Sequence, residues 1–410
     1  MKQEAYIAGV GVTKFGRHAE RGLSSLAHEA IMQAVRDAGI SLADIQAVWA
    51  GTAAAPITTG QVCIAGQVVL HGLGLGRVPV VNVENACATA STALQQAATM
   101  VTLGVYDIVL VFGVDKLYHA DKKKVFSVFD GCADTEHPEA LEAYLIHDGP
   151  RTAGAGHTRS VFMDLYARLA RDYMARSGAT AADFAAVSAK NSFHGSMNPN
   201  AQFSTLLSVE EVLAATPIVA PLTLLMCSPI ADGAAAAVLM SAQAARRLGV
   251  RKPVRVRSSV LASGFDPKPG EDNVTAWTAK QAYGEGGIEP QDLQCLELHD
   301  ATSPAELIYY ETLGLCGPGE GVKLLRDGAT RLGGRVVVNP SGGLVRKGHP
   351  IGATGLAQIH ELTLQLRGDA GARQVANARL ALAENGGGFV GSDSAAVVVT
   401  VLSREDPAGA

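Results

Sequence analysis

Ala5 to Val12 is an apolar run that reads as a strand. A polar turn follows, and then Ser24 to Ala38 carries Leu26, Ala27, Ala30, Ile31 and Ala34 at the spacing of one helix face, with Gly39 closing the segment. Val78 to Val83 reads as a buried strand, Ala88 to Leu103 as a nearly all-apolar helix, and Asp107 to Gly113 as another buried strand. Elements apolar on both sides belong inside a layered arrangement of sheet and helix, so the pattern predicts an α/β protein.

From Tyr118 to Pro217 the texture changes. A basic patch at Lys122, Lys123 and Lys124, scattered histidines and several prolines interrupt the regular pattern, yet Ser160 to Ser177 keeps strong helical periodicity. The stretch is expected to be a small helical subdomain inserted over the core. Regular, alanine-rich structure resumes at Ile230 to Met240.

A second half begins near Arg251 and repeats the order of the first. The run Arg335 to Asn339, a glycine-rich loop, the apolar segment Ala353 to Arg367 and the strand-like Arg379 to Ala383 mirror Val78 to Gly113. Asp232 to Leu239 likewise has an echo in Asp393 to Val399. The repeat spans a whole domain, which implies two similar halves packed face to face with sites at their interface. The expected division is 1–117 with 218–248 as the first half, 118–217 as the insertion and 249–410 as the second half.

Composition narrows the function classes. At 410 residues, with 48% hydrophobic and 18% charged residues, the chain has ample material for a large core. A formal net charge of -5 argues against nucleic acid, which needs a basic surface. The six cysteines, at 63, 87, 132, 227, 295 and 316, show none of the close pairing of a zinc site or redox motif, so no metal and a reducing, cytoplasmic setting are expected. No basic leader followed by an apolar run opens the chain, and no stretch reaches the ~18 apolar residues of a membrane span, so neither secretion nor a membrane is expected.

Two residues stand out chemically. Cys87 lies in Val83-Glu84-Asn85-Ala86-Cys87-Ala88, immediately before a helix-forming stretch. First-turn N–H groups and the helix dipole favour negative charge there, which predicts a lowered thiol pKa and a nucleophile; the alternative is an inert packing cysteine. His349 is held between Gly348 and Pro350 in a glycine-dense loop just before the equivalent helix of the second half. The duplication therefore makes Cys87 and His349 counterparts.

The run Gly348-His349-Pro350-Ile351-Gly352-Ala353-Thr354-Gly355, with its Asn339 to Gly343 prefix, resembles the signature of thiolases. The resemblance covers nearly the whole chain: Glu84-Asn85-Ala86-Cys87-Ala88 is similar to the nucleophile loop, Ala231 to Ala235 to the late strand of the first half, and His299-Asp300-Ala301-Thr302 to a third active-site loop. The His-Asp form, Pro221 to Leu225 and Glu311 to Gly321 resemble the sterol-carrier-type branch. A thiolase fold is implied, a duplicated five-layer α-β-α-β-α arrangement, acting on acyl-coenzyme A.

By the same resemblance, Cys87 accepts an acyl group from a coenzyme A thioester, and His349 activates the thiol and donates to the thioester oxygen. His299 helps form that oxyanion hole, and the backbone N–H groups of Cys87 and Gly386 form a second one. Ser259 resembles a pantetheine contact. Arg346 and Lys347 are candidates for coenzyme A phosphates and His157 for the pocket wall, each with the plainer alternative of a structural or solvated residue. The resemblance also implies a homodimer and a small zinc-ribbon and oligonucleotide-binding-fold partner.

The chain departs from the pattern at the second cysteine. The late Cys-x-Gly-Gly-Gly loop of classical thiolases corresponds here to Glu384-Asn385-Gly386-Gly387-Gly388, and the alternative cysteine after His-Asp in the sterol-carrier-type branch is Ala301. Glu384 is either the acid/base, its carboxyl pushed toward neutrality by burial, or an acceptor of backbone N–H groups. Three activities stay open: thiolytic cleavage of a 3-oxoacyl-CoA or its reverse, an aldol-type lyase or carbon acyltransferase, and a non-catalytic subunit, which would carry decayed active loops.

Overall fold

The fold was analysed in a computed structural model, which describes residues 3–146 and 159–404. The first half contributes β1 (Ala5–Val12), β2 (Ala47–Gly51), β3 (Val80–Val83), β4 (Ile108–Asp115) and β5 (Gly233–Ser241). The second contributes β6 (Val254–Ser263), β7 (Cys295–Glu297), β8 (Val337–Val338), β9 (Leu380–Gly387) and β10 (Ala396–Arg404). They form one ten-stranded sheet in the order β8-β7-β9-β10-β6-β1-β5-β4-β2-β3.

The order itself carries the duplication. Each half runs 3-2-4-5-1 in its own numbering, with its first three neighbours parallel and the last two contacts antiparallel. The halves join where β1 pairs β6 over only three positions, Ala5 with Val256, Tyr6 with Arg255 and Ile7 with Val254.

Helices form the remaining layers. Those used below are, in chain order, α1 (Leu23–Asp37), α2 (Thr89–Thr102), α3 (Lys122–Asp130), α4 (Val161–Ser177), α5 (Ala181–Ser196), α6 (Val274–Gly286), α7 (Ser303–Thr312) and α8 (Thr354–Arg367), with shorter helices between them. Leu94, Ala97 and Val101 of α2 and Leu356, Ile359 and Leu362 of α8 share one apolar core with Ala235, Ala237 and Leu239 of β5 and Ala381 and Ala383 of β9. The alternate residues of β5, Ala234, Ala236 and Val238, pack outward against Leu26, Ala30 and Ile31 of α1. Across the molecule Leu382, Val399 and Val401 pack against Val274 and Ala279 of α6, Leu307 and Tyr310 of α7 and Phe184 of α5. Helix, one half of the sheet, helix pair, the other half of the sheet and helix give the five layers, and the inner strands between them are apolar on both faces.

β3 corrects one expectation. It is the outer edge of the sheet, and Val81 is 41% exposed, so this strand is not buried. Between β4 and β5 run α3, α4 and α5 with a short hairpin of Pro217–Val219 and Leu222–Thr223. Ser160 starts α4 by accepting the Phe162 N–H on its hydroxyl, and Gly178 ends it at φ 71°. Among the described residues no helix is long and apolar enough to cross a membrane.

Candidate active site

α2 and α8 lie against one another in the central layer, and the turns that lead into them face the same cavity. Ala86–Ala88 is a single 3-10 turn before α2, with Ala86 at φ 48°, and it carries Cys87. Gly387 makes this approach feasible: a Cβ there would stand 2.4 Å from Asn85 O and 2.6 Å from Ala88 N, so any larger residue would push β9 away from the thiol. At the other helix, Gly348 takes φ 102° and delivers His349, whose N–H reaches Pro229 O at 3.3 Å.

His299 follows β7, and its neighbour Asp300 ties the two histidine loops together. Asp300 accepts the Leu344 N–H at 2.7 Å on one oxygen and the Asn191 amide at 3.0 Å on the other. Asn339, at the head of the His349 loop, reinforces the tie by accepting the Leu298 N–H at 2.8 Å and donating to Glu306 at 2.7 Å. These bonds hold the two histidine loops together, and with the turn before α2 beside them Cys87 Sγ and one ring nitrogen each of His299 and His349 lie within 4.8 Å of one another.

The protonation pattern follows from the partners. His349 Nδ1 lies 2.7 Å from Thr354 Oγ1, and that hydroxyl donates to Pro350 O at 3.1 Å. The ring therefore donates from Nδ1 to Thr354, leaving Nε2 unprotonated and facing the cavity, 3.4 Å from His299 Nε2. Burial holds the His349 pKa well below the ordinary histidine value, with His299 and Lys347 adding to it, and burial alone pushes His299 down to about 4.

Cys87 reverses its expected shift. Part of its surface opens to the cavity, but the enclosing walls strip water from the sulfur, and this desolvation raises the thiol well above its ordinary value, with Cys132 and Asp115 adding to the rise. The residue's own backbone N–H pulls the other way and is outweighed. The resting site thus pairs a neutral thiol with a neutral imidazole base.

The cavity has a volume of about 490 Å³ and takes Cys87, His299, His349 and Gly386 into its wall. Most of the remaining wall is apolar, and α3 and α4 contribute its large side chains Phe126, Phe129, Phe162, Met163 and Tyr166, with Ile218, Leu224 and Ile230 from the segment before β5. Cys132 and Ser394 also line it. None of these wall residues was singled out in the sequence, although Phe162 and Tyr166 one turn apart, and Phe126 and Phe129, are readable as one face of each helix. A wider surface cleft of about 930 Å³ between α6 and the end of α7 contains none of the reactive side chains.

The other predicted residues lie elsewhere. Lys347 is 3% exposed and donates to Glu297 at 3.0 Å and Ser341 at 3.1 Å. Arg346, 4% exposed, donates to Thr205 O at 2.5 Å. Both point into the protein and neither lines the cavity, which corrects their assignment to coenzyme A phosphates. Ser259 is buried between β6 and β10, its hydroxyl 2.8 Å from that of Thr400, away from the cavity wall. His157 lies outside the described residues.

Glu384 is fully buried on β9, behind His299. One carboxyl oxygen accepts the His299 backbone N–H at 3.0 Å; the other has no hydrogen-bond partner among the described residues. Burial raises its pKa to about 8, with the His299 N–H opposing. Glu384 does not enter the cavity wall, and of the two roles left open for it the geometry displays the backbone acceptor, turned toward the histidine loop.

The comparisons with known proteins agree with this geometry. Residues 5–214 match the family described as thiolase, N-terminal domain, and residues 271–400 the thiolase C-terminal domain-like family. The benzoylsuccinyl-CoA thiolase subunit BbsB of Thauera aromatica is 39% identical over 92% of this chain and 92% of its own. Sterol carrier protein 2 of Homo sapiens is 36% identical over 100% of this chain and 73% of its own. Among solved structures, the Ltp2-ChsH2(DUF35) aldolase superposes with a TM-score of 0.79 at 26% identity, covering 99% of both chains. With both halves matched and the reactive loops converging on one cavity, the chain belongs to the thiolase family.

Proposed function

We propose that this chain catalyses thiolytic cleavage of a 3-oxoacyl-CoA, or the reverse condensation, through an acyl group carried on Cys87. The observation that carries this reading is the convergence of Cys87, His299 and His349 at one end of a largely apolar cavity. A thiol and a base that are both neutral at rest exchange the proton only as the sulfur attacks, so charge develops where the donors stand. His349 Nε2 takes the Cys87 proton, the sulfur adds to the keto carbon, and the carbon–carbon bond breaks toward the thioester. The enolate oxygen of the departing CoA ester is held by the two imidazoles, and the proton that His349 took from Cys87 returns to the enolate α carbon to release that ester. Free coenzyme A then collects the acyl group, its thiol proton passing through His349 back to the Cys87 sulfur. Glu384 acts in this scheme as a positioning residue for His299.

The acyl group we assign is ring-bearing. Phe126, Phe129, Phe162 and Tyr166 offer flat, apolar ring surface in the same cavity as the thiol, and the Thauera relative is named for a benzoylsuccinyl-CoA. The edge position of β3, with Val81, Val62 and Ile64 exposed, supports a dimer formed along that edge. The aldolase relative is named with a second component, which supports a small partner subunit for this chain too. Unpaired cysteines throughout fit a reducing, cytoplasmic setting.

The same aldolase relative, and the absence of a cysteine at both Ala301 and Glu384, favour one rival, an aldol-type lyase. Incubation with 3-oxo-3-phenylpropanoyl-CoA separates the two. Thiolysis leaves a benzoyl adduct on Cys87 by intact mass and turns over only when coenzyme A is added; turnover of a 3-hydroxyacyl-CoA without coenzyme A and without adduct would replace thiolysis by the lyase.

A further inference from the structure

We infer that the pocket floor is also a binding site for a thiophilic divalent cation, zinc(II) in particular, held by Cys87 Sγ and the Nε2 atoms of His299 and His349. Among the described residues this is the one group of His, Cys, Asp and Glu side chains whose ligating atoms converge so closely, all within 4.8 Å. A tetrahedral zinc ion with bonds of about 2.3 Å to sulfur and 2.0–2.1 Å to nitrogen sets its ligands about 3.3–3.6 Å apart. The histidine pair already stands at 3.4 Å, and Cys87 Sγ, within 4.8 Å of both rings' ligating nitrogens, closes the site by drawing nearer to them.

The orientation of the rings favours the ion. His349 Nδ1 donates to Thr354 Oγ1 at 2.7 Å, an outer-sphere bond of the kind that fixes a metal-binding imidazole and aims its Nε2 lone pair inward. Two Nε2 atoms facing each other have room for one proton between them, and a cation in that place satisfies both lone pairs. Hard cations such as magnesium need oxygen ligands and find none in this trio.

Binding balances simply. The Cys87 S–H proton leaves to solvent, the sulfur binds as thiolate, the neutral imidazoles supply two lone pairs, and a water completes the fourth position from the cavity side. A sulfur committed to zinc cannot attack an acyl group, so the ion acts as a reversible block. Long sequence separations conceal the site, because 87, 299 and 349 match no metal-binding spacing.

Cobalt(II) titrated alone into the full chain, in thiol-free buffer, tests the assignment without reference to activity. The expected result is saturation at one equivalent with the intense visible bands of tetrahedral cobalt and a sulfur-to-cobalt charge-transfer band. Cys87→Ala removes that band, Cys63→Ala, which deletes an exposed thiol, leaves it, and Thr354→Val weakens binding by about tenfold. Zinc(II) displaces the cobalt and protects Cys87 from alkylation. Absence of saturable binding, a weak octahedral spectrum, or a charge-transfer band that survives Cys87→Ala overturns the site and leaves the thiolase reading untouched.

Discussion

His299 and His349, 50 positions apart in sequence, face each other Nε2 to Nε2 at 3.4 Å, and only one of the two rings has its far nitrogen tied to a hydroxyl. In the proposed mechanism Thr354 therefore sets which histidine acts as the base. Thr354→Val should leave the fold intact and release the tautomer of His349, lowering kcat by about tenfold with KM nearly unchanged, since an interaction that serves proton transfer is felt in the transition state. Steady-state kinetics decide it; an unchanged kcat would remove Thr354 from the mechanism.

Glu384 should leave its mark on stability against pH. Its folded pKa, about 8, lies above its ordinary value of 4.5, so between these values the folded state binds the proton and the unfolded state releases it. The stability it contributes is full below 4.5 and is lost as pH rises through about 8. Glu384→Gln keeps a neutral side chain at every pH, and thermal melts of the variant should decline less across this window than those of the parent. Parallel melting curves would contradict a buried, proton-holding Glu384.

Lys347 and Glu297 form a buried pair at 3.0 Å. Lys347→Met strands the carboxylate and should cost about 3–5 kcal/mol in urea unfolding. The pair anchors the His349 loop to β7, so the loss belongs to the fold. A variant of full stability but raised KM for coenzyme A would instead return Lys347 to the ligand.

Phe162→Ala opens the apolar wall of the cavity that holds Cys87. For a phenyl-bearing 3-oxoacyl-CoA the loss in kcat/KM should be about 1–3 kcal/mol, while acetoacetyl-CoA, which does not reach that wall, changes little. Equal losses on both substrates would argue against a ring-bearing acyl group.

Much of the arrangement was legible beforehand. β1 matches its predicted span of Ala5 to Val12, and α4 and α8 fall within a residue of theirs, because their periodicity is undisturbed and capped. Cys87, His299, His349 and Gly386 were each readable from a local motif and meet in one cavity. Misreadings came where the environment outweighs the motif. The helix start favours a thiolate at Cys87, but burial raises its pKa; two cations in a glycine loop read as a phosphate site, but Glu297 and Thr205 take them inward. Val78 to Val83 reads as interior although it is an edge, because exposure at an edge depends on which strand is missing beside it. Tyr166 and Cys132 carry no motif, and only the folded insertion brings them beside the thiol.

The turn before α2 belongs to the half made first, and the loop before α8 to the half made last. A growing chain therefore displays its sulfur long before the imidazole that arms it exists, and the two meet only when the central layer closes. In the proposed reaction chemical competence therefore needs both halves, and a chain truncated before the loop that leads into α8 holds the thiol without the imidazole that would take its proton.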